Sequence, residues 1–298
     1  MRMKQALPLV YAILILCGSS TACLAQPLAP QSADMVILQN AVYTARDSAE
    51  VCRLLRLQPT GNDVLFYGRQ FKGIPYVAHT LEVADPERLV VNLTGLDCTT
   101  FVETACALAM THRQGSTSFA DYCRNLMRLR YRGGVMDGYL SRLHYFTWWL
   151  HDNVDKGLFT EVRDNKHWNA PLTVRNHYMT KHWEQYKMLK ANPEFVPEIT
   201  RMEREANGPD GTYLPESALM HGKAELGCIH DGDVIGIVTT KDGLDYSHLG
   251  IAVWGRDGKL HLLNASSVYK KVVEDNNTLH KYLGERKTST GIRLLRLK

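Results

Sequence analysis

Gly95-Leu96-Asp97-Cys98-Thr99-Thr100-Phe101-Val102-Glu103 decides how this chain is read. Phe101, Val102, Ala105, Leu108 and Ala109 recur at helical spacing, and Gly95 and Asp97 stand where a helix start belongs. Cys98 is therefore expected at a helix N-terminus, where unpaired N–H groups and the positive dipole end favour a thiolate. The same N–H groups suit an oxyanion forming beside the sulfur. A cysteine so placed is a candidate nucleophile; the plainer alternative is a small core residue.

The 298 residues are 45% hydrophobic and 22% charged, an ordinary balance for a soluble globular chain with a substantial core. The N-terminus stands apart. Arg2 and Lys4 precede an apolar run from Ala6 to Cys17, followed by Gly18, Ser19, Ser20, Ala22 and Ala25. This reads as a secretory signal over residues 1–25, too short for a membrane span. Ser20-Thr21-Ala22-Cys23 offers an alternative lipoprotein site, with the signal ending at residue 22 and Cys23 lipidated. The expectation is export to a bacterial periplasm or cell envelope, with a membrane as partner only through Cys23. Loss of Arg2 and Lys4 removes two of the four excess positive charges. No dense basic cluster remains to bind nucleic acid. The mature cysteines are Cys52, Cys98, Cys106, Cys123 and Cys228, an odd set with no zinc spacing. At least one thiol is then unpaired or bridged to another molecule, which favours a use for Cys98.

Residues 26–298 read as a single domain. A helical pattern is expected from Asp34 to Leu57, and Gly73-Ile74-Pro75-Tyr76 marks a loop or extended segment. Residues 80–93 read as an extended approach to the Cys98 helix. Phe119 to Arg130 and Leu140 to Val154 form amphipathic helices, separated by Arg132-Gly133-Gly134. Asn169 to Arg204 reads as largely helical, and Asn207-Gly208-Pro209-Asp210-Gly211 as a loop. From there the period changes. Val234 to Val238 is a buried strand, and His248 to Trp254 alternates faces before a turn at Gly255-Arg256-Asp257-Gly258. Lys259 to Asn264 returns as its partner, and Ile292 to Leu297 is expected at a sheet edge. The fold class is α+β, helices first and then a mostly antiparallel sheet.

The hairpin supplies partners for the cysteine. A turn at 255–258 puts Asn264 within about a residue of lying opposite His248. An imidazole oriented by a side-chain amide can take the proton from a thiol that attacks a carbonyl. Cys98, His248 and Asn264 are the candidate catalytic set.

These residues resemble a known family. Gly73-x-Pro75-Tyr76, Leu96-Asp97-Cys98-Thr99, Asp231-Gly232-Asp233, His248-Leu249-Gly250-Ile251 and Asn264-Ala265-Ser266 are similar to motifs of the NlpC superfamily of papain-like cell-wall cysteine peptidases. Arg142-Leu143-His144-Tyr145-Phe146 and Gly243-Leu244-Asp245-Tyr246-Ser247-His248 resemble its N-acetylmuramoyl-L-alanine amidase-like branch. The resemblance implies a papain-like fold with a nucleophile helix packed on the sheet and a helical insertion over about 113–225. It implies Cys98 as nucleophile, His248 as base and Asn264 as the group orienting the imidazole. Tyr76, Asp97, Thr99, His144 and Ser247 are the substrate-binding candidates. The implied reaction cleaves the muramoyl–L-alanine amide of muropeptides, without cofactor or metal, in a monomer. The rival expectations are a γ-D-glutamyl–diaminopimelate endopeptidase, an acyltransferase and a non-catalytic wall-binding protein. Thr99-Thr100 replaces the Ser-Gly common after the cysteine, and Asn264 stands where many members have His.

Trp148, Trp149, Trp168 and Trp183 offer a sugar platform but sit at spacings that suit core packing. His144 and Arg132 are open to either glycan or carboxylate recognition or to anchoring the insertion. His167, His177 and His182 lack an H-E-x-x-H arrangement and read as packing or surface residues.

Overall fold

Thr44 divides the helical run expected for residues 34–57. In the computed structural model, which describes residues 33–298 apart from Ala84, α1 (Ala33–Gln39) is followed by β1 (Ala41–Val42) and α2 (Ala45–Leu55). Thr44 and Asp47 form a reciprocal capping box that starts α2. β1 pairs in parallel with β2 (Leu89–Val90), so only part of residues 80–93 is strand. The expected signal, its cleavage after Ala25 and the lipid anchor at Cys23 lie outside the described residues.

α3 (Asp63–Gln70) is capped by Asn62 and packs on α4 (Cys98–Arg113). Every residue of α4 from Thr100 to Thr111 is buried, so this helix is covered on all sides rather than on one stripe. Burying Phe101, Val102 and Leu108 contributes roughly 1.5–3 kcal/mol each. One polar residue in that interior is Glu103. Its carboxylate accepts from Arg130 Nε at 2.7 Å, and Arg130 Nη1 donates to the Val90 carbonyl at 2.7 Å. This buried pair ties α4 to β2 and to α5 (Phe119–Arg130), whose bounds are those the pattern predicted.

Between residues 113 and 225 the chain is not uniformly helical. The helix expected from Leu140 begins only at α6 (Phe146–Asp155), because residues 139–141 form a 3-10 turn after Gly138. β3 (Phe159–Val162) and β4 (Ala170–Val174) follow, and the second interrupts the helical run expected from Asn169. Three short helices come next: α7 (Tyr178–Lys181), α8 (Lys187–Ala191) and α9 (Val196–Ala206). The segment expected as a loop at 207–211 begins a strand, β5 (Gly208–Pro215). Its Gly-Pro-Asp-Gly start looks like a turn, yet Pro209 lies opposite Thr173 next to a bulge, where the ladder tolerates a missing N–H.

The remaining elements are β6 (Val234–Thr239), β7 (Tyr246–Trp254), β8 (Leu260–Ser266), β9 (Lys271–Glu274), α10 (Leu279–Gly284) and β10 (Ser289–Leu297). They complete an antiparallel sheet of order β4-β5-β10-β6-β7-β8-β9, with β3 also paired to β10. β10 was expected at an edge. It lies in the interior, bonded to β6 on one side and to β5 and β3 on the other. Its alternation is that of a central strand buried on both faces.

Two apolar layers sandwich the C-terminal half of the sheet. Leu249, Ile251, Val253 and Leu263 belong to the core shared with Phe101 and Leu108 of α4. Ala252, Leu260 and Leu262 join Leu279, Tyr282 and Leu283 of α10 in the other. The architecture is thus α+β, with α4 on one face of β7 and α10 on the other.

Candidate active site

Asp97 fixes where α4 begins. Its carboxylate accepts from Thr100 N–H at 2.8 Å, and its own N–H donates to Thr100 Oγ1 at 3.0 Å. Cys98 therefore takes the first helical position, as expected, and its N–H is one of the donors that the helix cannot use internally. The carboxylate of Asp97 serves the cap. It is not among the residues that line the adjoining cavity.

The hairpin delivers its two residues together. β7 and β8 pair Ile251 with Leu263 and Ala252 with Leu262. Continued by one step, this register sets Asn264 opposite Gly250, so it meets His248 diagonally, two residues from direct opposition. Both still point to one face, and His248 Nε2 lies 3.0 Å from Asn264 Oδ1. With an amide oxygen as partner, Nε2 carries the proton and Nδ1 presents its lone pair. Asn264 is wholly buried, and among the described residues its Nδ2 has no hydrogen-bond partner.

Cys98 meets this hairpin at the residue after the histidine. The Leu249 N–H and the hydroxyl and N–H of Thr99 lie against the sulfur. Burial nevertheless pushes the Cys98 thiol up, to about 11, and the Asp97 charge adds to the rise; the three donors oppose it. This reverses the depressed thiol expected from the helix end alone. Desolvation is the largest influence on this thiol. Burial also moves His248 below the ordinary histidine range; the Asn264 bond opposes this, and Arg286 adds to it. Both shifts favour the neutral thiol and the neutral imidazole.

A cavity of about 170 Å³ opens beside the sulfur. Cys98, Thr99, His144, Ser247 and His248 line it together with Phe146, Trp149, Tyr186 and Asp245. His144 donates through Nε2 to the Tyr139 carbonyl at 2.9 Å, and burial holds its ring neutral, with Arg142 contributing. Asp245 had no assigned place in the sequence reading. It is buried and accepts from the N–H groups of Thr147 and Tyr246 and from Asn176 Nδ2, which pins α6 and the 175–178 bend to β7. The residue stands inside the Gly243–His248 motif, but nothing in its spacing announced those donors.

Tyr76 reaches Cys98 from another side. Leu96 N–H donates to the Pro75 carbonyl and Val77 N–H to the Leu96 carbonyl, which fastens this segment beside the helix start. Burial pushes the Tyr76 phenol up to about 12, with Cys98 and Asp97 adding to the rise. Arg132 is not brought to the cysteine: it lies over the Trp148 ring and lines a separate groove. Of the four tryptophans considered as a platform, Trp149 alone lines the cavity, while Trp148 and Trp168 are buried in packing. Among the described residues no group of three His, Cys, Asp or Glu could hold a metal ion.

The family model for AmiA-like, N-acetylmuramoyl-L-alanine amidase-like proteins matches residues 66–292. A crystal structure of an N-acetylmuramoyl-L-alanine amidase from Bacteroides uniformis is 40% identical, covers 80% of this chain and all of its own, and superposes with a TM-score of 0.74. A Bacteroides fragilis protein crystallised as a putative xylanase is 42% identical over 78% of this chain and 100% of its own, with a TM-score of 0.73. A Legionella pneumophila protein of family DUF1460, 23% identical, covers 89% of this chain and 96% of its own with a TM-score of 0.63, and shares the fold. No curated protein matches the chain. On the extent of the family match and the identity to solved members, this chain belongs to the AmiA-like, N-acetylmuramoyl-L-alanine amidase-like family.

Proposed function

We propose that this protein is a papain-like cysteine amidase that hydrolyses the N-acetylmuramoyl–L-alanine amide of muropeptides. The observation that carries the reading is the His248–Asn264 hydrogen bond, set on adjacent strands against the sulfur-bearing first position of α4. Family membership supports the choice of bond.

The neutral resting pair defines the first step. His248 Nδ1 takes the thiol proton as the sulfur attacks the lactyl carbonyl, and the Cys98 N–H at the helix start faces the developing oxyanion. Asn264 holds the imidazole by its Nε2–H and stabilises the imidazolium as it forms. Collapse breaks the C–N bond, with His248 returning its proton to the leaving amine of L-alanine. Water then attacks the muramoyl thioester with His248 as base, releasing the carboxylic acid and restoring the thiol. No step calls for a cofactor.

Glycan hydrolysis of the kind named for the B. fragilis relative takes two carboxyl groups flanking the bond. The cavity beside Cys98 has one, Asp245, and its oxygens are occupied by backbone and amide donors.

The test is digestion of a defined disaccharide–tripeptide, with products weighed by mass spectrometry. Free disaccharide and a tripeptide beginning with L-alanine are expected, and Cys98→Ala abolishes their release while remaining folded. Release of diaminopimelate alone would reassign the protein as an endopeptidase. No turnover, with Cys98 inert to an alkylating agent, would make it a binding protein.

A further inference from the structure

Beside the cavity, Cys98 and His248 have a second neighbourhood that the reaction above leaves unused. It is built on α10 and on the loop between β8 and β9. The Tyr282 ring stacks on the His248 ring, with centroids 6.4 Å apart and planes 21° apart. The Arg286 guanidinium lies over the Tyr282 ring, its Cζ 3.5 Å from the centroid, and Nη1 donates to the Tyr282 carbonyl at 2.5 Å. Those two contacts set a limit: the guanidinium is no more than about 10 Å from the His248 ring. Tyr76 is tied to the same region, since its N–H donates to the Lys270 carbonyl.

Arg286 is half-buried, yet among the described residues no carboxylate pairs with it. Other arginines held away from water here are neutralised: Arg130 by Glu103, Arg142 by Glu82 and Glu87, Arg293 by Glu161 and Asp210. A cation partly withdrawn from water without a counter-ion is costly, and a guanidinium fork suits a carboxylate. The contact with Tyr282 holds the group in place and leaves Nε and Nη2 uncommitted. Its charge is felt at the site, where it adds to the lowering of His248.

We propose that Arg286 is a specificity residue that binds the first free carboxylate of the acidic stem peptide, on the peptide's second residue. The reach agrees with this. Two extended residues span about 7 Å, which lies within the limit of about 10 Å set between the guanidinium and the His248 ring. The inference rests on the amidase reading for the direction in which the peptide leaves. It predicts a preference for stems with a free carboxylate over stems amidated there.

Two synthetic muramoyl-peptides, identical except for carboxylate or carboxamide on the second residue, test it. The wild-type chain is expected to favour the carboxylate by about tenfold or more in kcat/KM, chiefly through KM. Arg286→Gln is expected to erase the preference, and Arg286→Lys to keep part of it. A helix-capping role alone would lower the unfolding midpoint of Arg286→Gln and affect both substrates equally, which would overturn the proposal. Calorimetric binding of the same compounds to Cys98→Ala and to Cys98→Ala/Arg286→Gln reads the preference without cleavage. Loss of cleavage on both compounds therefore counts against the amidase reading, and equal binding of both compounds to Cys98→Ala counts against Arg286.

Discussion

Replacing Asp97 by Asn isolates the charge that stands next to the reactive sulfur. Asn is as good an N-cap as Asp, and its Oδ1 can accept from the Thr100 N–H as the carboxylate does. The start of α4 is thus preserved, and the loss of a favourable charge at the helix N-terminus costs roughly 0.5 kcal/mol. What changes is the Cys98 thiol, which burial first and Asp97 second hold at about 11. A unit charge beside a thiol is worth about 1 kcal/mol even where water screens it fully, or about fivefold in the thiolate population at a given pH. Because only the thiolate reacts with iodoacetamide, the variant should be alkylated about fivefold faster at pH 8. The assay follows the mass of the peptide containing Cys98 between pH 7 and 10, against Cys106 and Cys123, whose thiols burial pushes higher still. The wild-type rate should climb throughout that range. A wild-type plateau with a midpoint below pH 7 would mean that a thiolate–imidazolium pair rests in the site, and the neutral-pair argument would fail. An unchanged or slower rate in Asp97→Asn would refute the place given to the carboxylate.

Three further outcomes are expected. In the proposed reaction neutral His248 is the competent base, and burial lowers its pKa, so kcat/KM should fall only as pH drops through a midpoint below 6.5; a midpoint above 7, read from a pH–rate profile, contradicts this. Asn264→Ala should reduce kcat about 10- to 100-fold with KM little changed, because the imidazole loses its orienting acceptor; steady-state kinetics on a defined muropeptide measure it. Arg130→Met should destabilise the fold by about 3–5 kcal/mol in denaturant unfolding by leaving the Glu103 carboxylate buried and unpaired, and Glu103→Leu in the same chain should recover most of that loss.

What the sequence revealed was local or carried by a short hairpin. Asp97 and Thr100 are neighbours, so the cap that places Cys98 was legible, as was the amphipathic helix ending at Arg130. His248 and Asn264 are joined by a turn of known geometry, and their offset of two residues from direct opposition, larger than the one expected, left them on one face. What stayed hidden depends on partners distant in sequence. Gly208-Pro209-Asp210-Gly211 has turn chemistry and becomes strand because β4 and β10 flank it. Burial around Cys98 comes from β7, some 150 residues onward, and it reversed the thiol shift inferred from the helix end. Tyr282 and Arg286 belong to no motif; only the stacking of α10 on the sheet brings them beside His248.

The interior position of β10 makes residues 289–297 a keystone of the sheet. This strand lies between β6 on one side and β5 and β3 on the other, so it joins three strands that precede it in the chain. Without residues 289–297, β6 would have an open edge and the sheet behind His248 would be incomplete. A chain cut short before residue 289 would keep Cys98, His248 and Asn264 and lose the strand on which β6 is laid.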